Sequence, residues 1–189
     1  MMAKIIVFDD RGSLYFNSKE DLIDIRNTVV TAVREAKEKK SIDLIQLEDN
    51  TELILYTLDD DNKPYRWSSE SETTEPIKWL GKDEDGNRIV NLFNEETFLI
   101  CDYSWNSAIN GYENALYEIL TDVRESTKRM VFLLYSTVLQ EEAQDFLEDE
   151  WNKGFPQNVI ATKEVIGFGE TKVAMRHSLK SRIKYVFRQ

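Results

Sequence analysis

Two adjacent aspartates, Asp9 and Asp10, follow the apolar run Ile5-Ile6-Val7-Phe8 near the start of the chain. Paired carboxylates at the end of a short strand can bind Mg²⁺ or accept a phosphoryl group, so a metal-dependent hydrolase or nuclease is one alternative function. Enzymes of that kind have a helix directly after the loop. Here Arg11-Gly12 and the strand-like run 14–16 follow instead. Because Asp and Gly are frequent in turns, we expect a hairpin turn here and assign no metal site.

Only one histidine, His177, and one cysteine, Cys101, are present in the chain. Together they exclude a site made of several histidines, a cysteine-based zinc site and an intrachain disulfide. Cys101 lies in an apolar run, where a small buried side chain is its usual role. No glycine-rich phosphate-binding motif and no nucleophile elbow occurs. We therefore assign no catalytic residue and no cofactor, and we favour a protein that is not an enzyme.

Two acid-rich runs, 59–62 and 83–87, superficially suggest calcium loops. Neither has the ligand spacing of a calcium-binding helix–loop–helix, and both connect predicted strands. Solvated turns are therefore the favoured interpretation of both runs.

The charge of the chain is segregated along the sequence. The formal net charge is -11 over 189 residues. Residues 43–102 contain 16 acids and five bases, a net charge of -11, whereas residues 163–189 contain seven bases and two acids, a net charge of +5. An acidic protein repels nucleic acids and anionic membranes as a whole, so the two segments suggest different partners.

The acidic segment favours a protein that engages a basic surface of another macromolecule. Electrostatic complementarity would give such a complex fast association and specificity, and two tryptophans flank the acidic loop as candidate anchors. Inhibitors and immunity-type proteins of phages or mobile elements share this acidic, motif-free character, an argument by analogy only. The residues that we assign to this surface are Trp67, Glu70, Glu72, Glu75, Trp79, Asp83 and Asp85.

The basic C-terminal segment, residues 176–188, has two interpretations. It can bind the phosphates of a nucleic acid, which is a second alternative function. It can also pair with acidic side chains of the same chain, for instance those of 141–150, and this interpretation is favoured because that partner is always close. The residues of this basic patch are Arg176, His177, Lys180, Arg182, Lys184 and Arg188.

Apolar spacing predicts the elements that hold these residues. Ser18 is a good N-cap for a helix whose apolar stripe runs from Leu22 to Ala36. The alternating pattern of the next sixty residues predicts an antiparallel meander in which 68–76 form an exposed loop. The predicted strands cover residues 5–8, 14–16, 42–47, 52–58, 64–67, 77–80, 87–93 and 97–102.

The second half combines helices and strands. Residues 111–125 predict a helix, 130–135 fit either a strand or a helix, and a further helix contains Leu139 to Trp151 and stops near Gly154. A single helix over 112–152 is an alternative interpretation of this segment. Strand-like patterns return at 159–168, 172–177 and 182–188. The chain therefore predicts an α+β fold, with a largely antiparallel sheet packed by about three helices.

One domain over 1–189 is expected from the length, with a possible division into 1–110, a helix plus meander, and 111–189, a helical hairpin plus basic strands. No signal peptide is evident, and no run approaches the roughly 20 apolar residues of a membrane helix. A single cysteine fits a reducing compartment, so we expect a cytoplasmic protein. The sequence does not predict the oligomeric state.

Overall fold

A computed structural model gives the architecture for most of the chain. The residues that it describes are 3–10, 16, 18–40, 45–58, 61, 64–71, 74–76, 93–104, 115–136, 140–167 and 171–186.

Seven strands within these residues form one sheet. They are β1 (Lys4–Phe8), β2 (Glu52–Leu58), β3 (Pro64–Ser68), β4 (Thr74–Pro76), β5 (Thr97–Asp102), β6 (Met130–Tyr135) and β7 (Val159–Ala161). The spatial order is β4-β3-β2-β1-β5-β6-β7. The four pairings among β2, β1, β5, β6 and β7 are parallel, and only β3 and β4 are added antiparallel.

Four helices lie within the described residues: α1 (Lys19–Lys40), α2 (Ala115–Glu125), α3 (Gln140–Lys153) and α4 (Lys172–Val186). The N–H of Asp21 donates to Ser18 Oγ at 3.2 Å, which confirms the predicted cap of α1. Gly154 takes a φ of 86° just after α3, a conformation that glycine adopts without strain, and it ends the helix where the sequence predicts. No helix among the described residues is long and apolar enough to cross a membrane.

The helices cover both faces of the sheet. One core cluster joins α1 and α4 to one face, with Val29, Val33 and Leu179 packed on β-strand side chains such as Val7. The second cluster joins α2 and α3 to the opposite face. Strands that are buried on both faces read as continuous apolar runs, as β6 does with six buried residues out of six.

The prediction of helices combined with a sheet is confirmed, but the largely antiparallel sheet and the count of about three helices are wrong. Parallel neighbours of β1 occupy both of its edges, β2 on one side and β5 on the other. No edge of β1 is therefore left for the predicted hairpin partner at 14–16, whose residues 14 and 15 lie outside the described part. The strands come to lie in a parallel sheet because helices cross between them, which the alternating pattern of their side chains does not reveal.

The C-terminal strands predicted at 172–177 and 182–188 are also wrong where the structure describes them. Residues 172–186 form α4, whose buried side chains Met175, Leu179, Ile183 and Val186 recur at helical spacing. Strand β6 separates α2 from α3, which rules out a single helix over 112–152 and a direct helical hairpin. Residues 45–47 lie outside any strand, although Ile45 and Leu47 are buried.

Several predicted segments lie outside the described residues. These are 42–44, 77–80, 87–92, the start of the helix predicted at 111, and the acidic runs at 59–60 and 83–87.

Candidate functional site

The order of the five parallel strands has a reversal at β1. The chain passes from β1 through α1 to β2 on one side, and later places β5 on the other side of β1. In doubly wound sheets with the order 2-1-3-4-5, ligands bind in the crevice at the carboxyl ends of the strands where the direction reverses. Here these are the ends of β1 and β5, which carry Asp9 and Asp10 after β1 and Asp102 at the end of β5.

The strand register aligns three polar side chains in one row. Phe8 is the partner of Cys101, and Asp102 is the partner of Tyr135 on β6. Side chains alternate between faces, so Asp9 continues the face of Val7, and Asp102 continues the face of Ile100, both on the side of α1 and α4. The row Asp9, Asp102 and Tyr135 therefore runs across three adjacent strands.

The three carboxylates converge. One oxygen from each of Asp9, Asp10 and Asp102 lies within 4.8 Å of the other two. Asp9 is 2% exposed and Asp102 is 6% exposed, whereas Asp10 is half-buried. Burial, a hydrogen bond with Asp10 and the negative charge of Asp10 raise the pKa of Asp102 to about 8. The carboxyl of Asp102 therefore keeps its proton at neutral pH in the absence of a cation.

Other groups orient this carboxylate cluster. The N–H of Ser104 donates to Oδ1 of Asp102 at 3.1 Å. The buried hydroxyl of Tyr135 donates to Oδ2 of Asp9, and its ring packs against Phe16, which lies between β1 and α1, with centroids 6.3 Å apart. Ser136, the residue after β6, is buried at the same edge of the sheet and donates its N–H to the carbonyl of Ile166 at 3.1 Å.

This geometry overturns the interpretation of Asp9-Asp10 as a hairpin turn. The next described element after them is α1, and their partner is an aspartate more than ninety residues away. Three carboxylates that offer only oxygen ligands, placed where sheets of this order have their ligand crevice, suit a hard divalent cation such as Mg²⁺. Sequence reasoning singled out Asp9 and Asp10 only as an alternative, assigned no metal site and missed Asp102. A signal was present, since Asp102 ends a strongly apolar run just as Asp9 does, but only the parallel topology makes the two ends meet.

The acidic surface predicted for a basic partner is described only in part. Trp67 is half-buried on β3 and packs against the core. Glu70 is exposed, and the backbone of Glu75 lies in β4. Glu72, Trp79, Asp83 and Asp85 lie outside the described residues. The described residues therefore do not test this surface, and the basic partner stays a prediction.

Five residues of the basic patch lie on α4, and three of them pair with acids of the same chain. Arg176 meets Asp24 at 3.0 Å and Lys184 meets Glu35 at 3.0 Å, both on α1. The hydrogen bond and charge of Lys184 lower the pKa of Glu35. Arg182 meets Glu164 at 2.9 Å, and Lys180 lies beside α1 near Asn27 and Thr31. These pairs match the favoured interpretation of internal pairing, with acids of α1 and Glu164 as the partners; Arg188 lies outside the described residues.

The only histidine and the only cysteine of the sequence lie apart from the three carboxylates. His177 is exposed on α4 and lines a groove with Ser178, Ser181 and Tyr185. Cys101 is fully buried on the face of α2 and α3, and burial raises the pKa of its thiol well above the ordinary value. Neither residue adds a ligand to the cluster of Asp9, Asp10 and Asp102.

Comparisons with protein-family models, with curated proteins and with solved structures find no match to this chain.

Proposed function

We propose that the protein binds Mg²⁺ through Asp9, Asp10 and Asp102 and uses it to receive a phosphoryl group on Asp102. The observation that carries the proposal is the convergence of these three carboxylates, within 4.8 Å, at the carboxyl ends of β1 and β5. This proposal develops the metal-dependent alternative that the Asp9-Asp10 pair suggests in the sequence.

The energetics of the cluster favour a bound cation. Packing three carboxylates together, two of them almost fully buried, is unfavourable unless charge is compensated, and the raised pKa of Asp102 reflects that cost. A divalent cation would compensate two charges and displace the proton of Asp102. The described ion pairs of Lys172, Arg176, Arg182 and Lys184 use other carboxylates, those of Asp21, Asp24, Glu164 and Glu35.

Phosphoryl chemistry follows from the preferences of the cation. Mg²⁺ in proteins usually holds one or two carboxylates and several waters, and its remaining positions accept phosphate oxygens. Bound there, a phosphoryl group would lie against the row Asp9, Asp102 and Tyr135, with the buried Ser136 at the same edge. The cation would neutralise charge that develops on the equatorial oxygens during transfer.

Asp102 is the carboxylate that we assign as the acceptor. Asp102 lies in the middle of the row, on the strand between β1 and β6, and the Ser104 N–H orients its Oδ1. In the proposed step an oxygen of ionised Asp102 forms a bond to phosphorus, the bond from phosphorus to the donor's leaving oxygen breaks, and that oxygen keeps the electron pair. Mg²⁺ would keep Asp102 ionised by displacing its proton.

The test is incubation of the full chain with Mg²⁺ and acetyl phosphate, a small phosphoryl donor, followed by intact-mass measurement. We expect the mass to increase by one phosphoryl group. This increase should be absent when EDTA is added before the donor, and absent in Asp102→Asn. The matched control is Asp145→Asn, an exposed aspartate on α3, which should label like the wild type. Labelling that persists in Asp102→Asn would refute the assignment of the acceptor. Release of inorganic phosphate without a stable adduct would instead favour the hydrolase alternative.

A further inference from the structure

The hydroxyl of Tyr135 reaches Asp9 across an intervening strand. Tyr135 ends β6 and Asp9 follows β1, with Asp102 of β5 between them. Adjacent strands are roughly 4.8 Å apart, so the two backbones are separated by roughly 10 Å. The Tyr135 side chain spans most of this distance and is 1% exposed, and its hydroxyl donates to Oδ2 of Asp9.

That hydrogen bond limits how Asp9 can bind a cation. A carboxylate can ligate with one oxygen or with both. Because Oδ2 of Asp9 accepts from Tyr135, a cation that bound both oxygens of Asp9 would have to compete with this hydrogen bond, which favours coordination through one oxygen. The ring of Tyr135 is fixed by its packing on Phe16 and by its place in the core, so the constraint is rigid.

The two common hard cations differ in their response to such a constraint. Mg²⁺ requires six ligands in near-octahedral geometry at 2.0–2.1 Å and commonly takes carboxylates through one oxygen. Ca²⁺ takes six to eight ligands at 2.3–2.6 Å and gains from carboxylates that bind with both oxygens. A donor that occupies one oxygen of a ligand therefore disfavours the larger cation.

We propose that Tyr135 determines the selectivity of this site for Mg²⁺ over Ca²⁺, by holding Asp9 to single-oxygen coordination. Tyr135 is a positioning residue, since it acts through Asp9. The inference rests on the proposed cation site, which it deepens by assigning the residue that selects the metal.

The test compares Mg²⁺ and Ca²⁺ affinities of the full chain by calorimetric titration, in the wild type and in Tyr135→Phe. Partners that hold metal ligands typically change metal affinity by 10–100-fold when they are removed. We expect the ratio of Mg²⁺ to Ca²⁺ affinity to fall by roughly tenfold or more in Tyr135→Phe. A ratio equal to that of the wild type would overturn the inference.

Tyr103→Phe is the matched control. The Tyr103 hydroxyl also donates to a carboxylate, Glu142, at 3.0 Å, and Tyr103 is next to Asp102 in the chain. Its removal should leave the affinity ratio unchanged. In an Asp9→Asn background, Tyr135→Phe should no longer alter the ratio, whereas a merely structural role of Tyr135 would act in both backgrounds.

Two further results separate the possible failures. If Tyr135→Phe does not fold, Tyr135→Met replaces it as the test variant. Methionine also lacks a hydroxyl donor, so this variant should show the same fall in the ratio of Mg²⁺ to Ca²⁺ affinity. If the wild type binds neither cation, the proposed site itself fails. If it binds Mg²⁺ with a ratio that Tyr135 does not affect, only the selectivity inference fails.

Discussion

Replacing Asp102 by asparagine should make the folded protein more stable at alkaline pH and change little at acidic pH. The folded pKa of Asp102 is about 8, raised from 3.8 mainly by burial and then by Asp10. Because the folded pKa lies above the unfolded one, the stability that this group contributes is fully present below about pH 4 and is lost as the pH rises to about 8. Asparagine does not titrate, and its amide can donate to Asp10 as protonated Asp102 does.

The size of the effect follows from the pKa shift. One pKa unit corresponds to about 1.36 kcal/mol, so the three pH units from 5 to 8 amount to roughly 3–4 kcal/mol, allowing for the flattening near the folded pKa. This is a large fraction of the roughly 5–15 kcal/mol that stabilises a typical domain. The free energy of unfolding of Asp102→Asn, relative to the wild type, should therefore rise by that amount between the two pH values.

Urea unfolding at pH 5 and pH 8 in EDTA measures this difference. Groups far from Asp102 titrate alike in both proteins, so their contributions largely cancel in the comparison. Asp145→Asn, which removes an exposed carboxylate, should show almost no dependence of its effect on pH. The reasoning would be refuted if the stability difference between Asp102→Asn and the wild type were the same at both pH values.

Three more predictions concern the fold around the site. Leu179→Ala should cost about 2–5 kcal/mol of unfolding free energy, because Leu179 is buried on α4. Val173→Ala, at a side chain 65% exposed, should cost almost nothing. Equal effects of the two variants in urea unfolding would contradict the assignment of residues 172–186 to a helix. Lys172→Ala should lower the free energy of unfolding by roughly 1–3 kcal/mol, because it leaves the buried carboxylate of Asp21 without its partner at 2.8 Å. An unchanged midpoint in urea would show that this ion pair does not stabilise the fold. The Cys101 thiol should react with a disulfide reagent only in urea, since it is fully buried with a raised pKa, and rapid labelling of the native protein would contradict its placement.

The local parts of the fold were predictable because local patterns determine them. The cap at Ser18 and the apolar stripe of α1 identified that helix, and the run at 52–58 identified β2. The direction of strand pairing was not predictable in the same way. Alternation shows that a strand has two faces, but it does not show whether the next strand returns beside it or follows a crossover helix.

The error at α4 has a related cause. Ile183, Tyr185 and Phe187 alternate with polar residues, a pattern typical of a half-buried strand. The spacing of Met175, Leu179, Ile183 and Val186 fits a helix over a longer window, and packing on α1 selects it. The ion pairs between the two helices, such as Arg176 with Asp24, then place opposite charges face to face.

Only part of the candidate site could be singled out from the sequence. Asp9 and Asp10 have a carboxylate pattern that sequence alone singles out, whereas Asp102 and Tyr135 become neighbours of Asp9 only through parallel register across β1, β5 and β6. Reading the pair as a turn depended on the wrong partner for β1.

The most direct test of the central claim is an NMR titration of the full chain with Mn²⁺, a paramagnetic substitute for Mg²⁺. A cation at the crevice should first broaden the amide signals of Asp10, Ser104 and Ser136, and excess Mg²⁺ should restore them. Broadening that begins on the exposed acidic side of α3, at Glu141 and Glu148, and spares the crevice would contradict the claim.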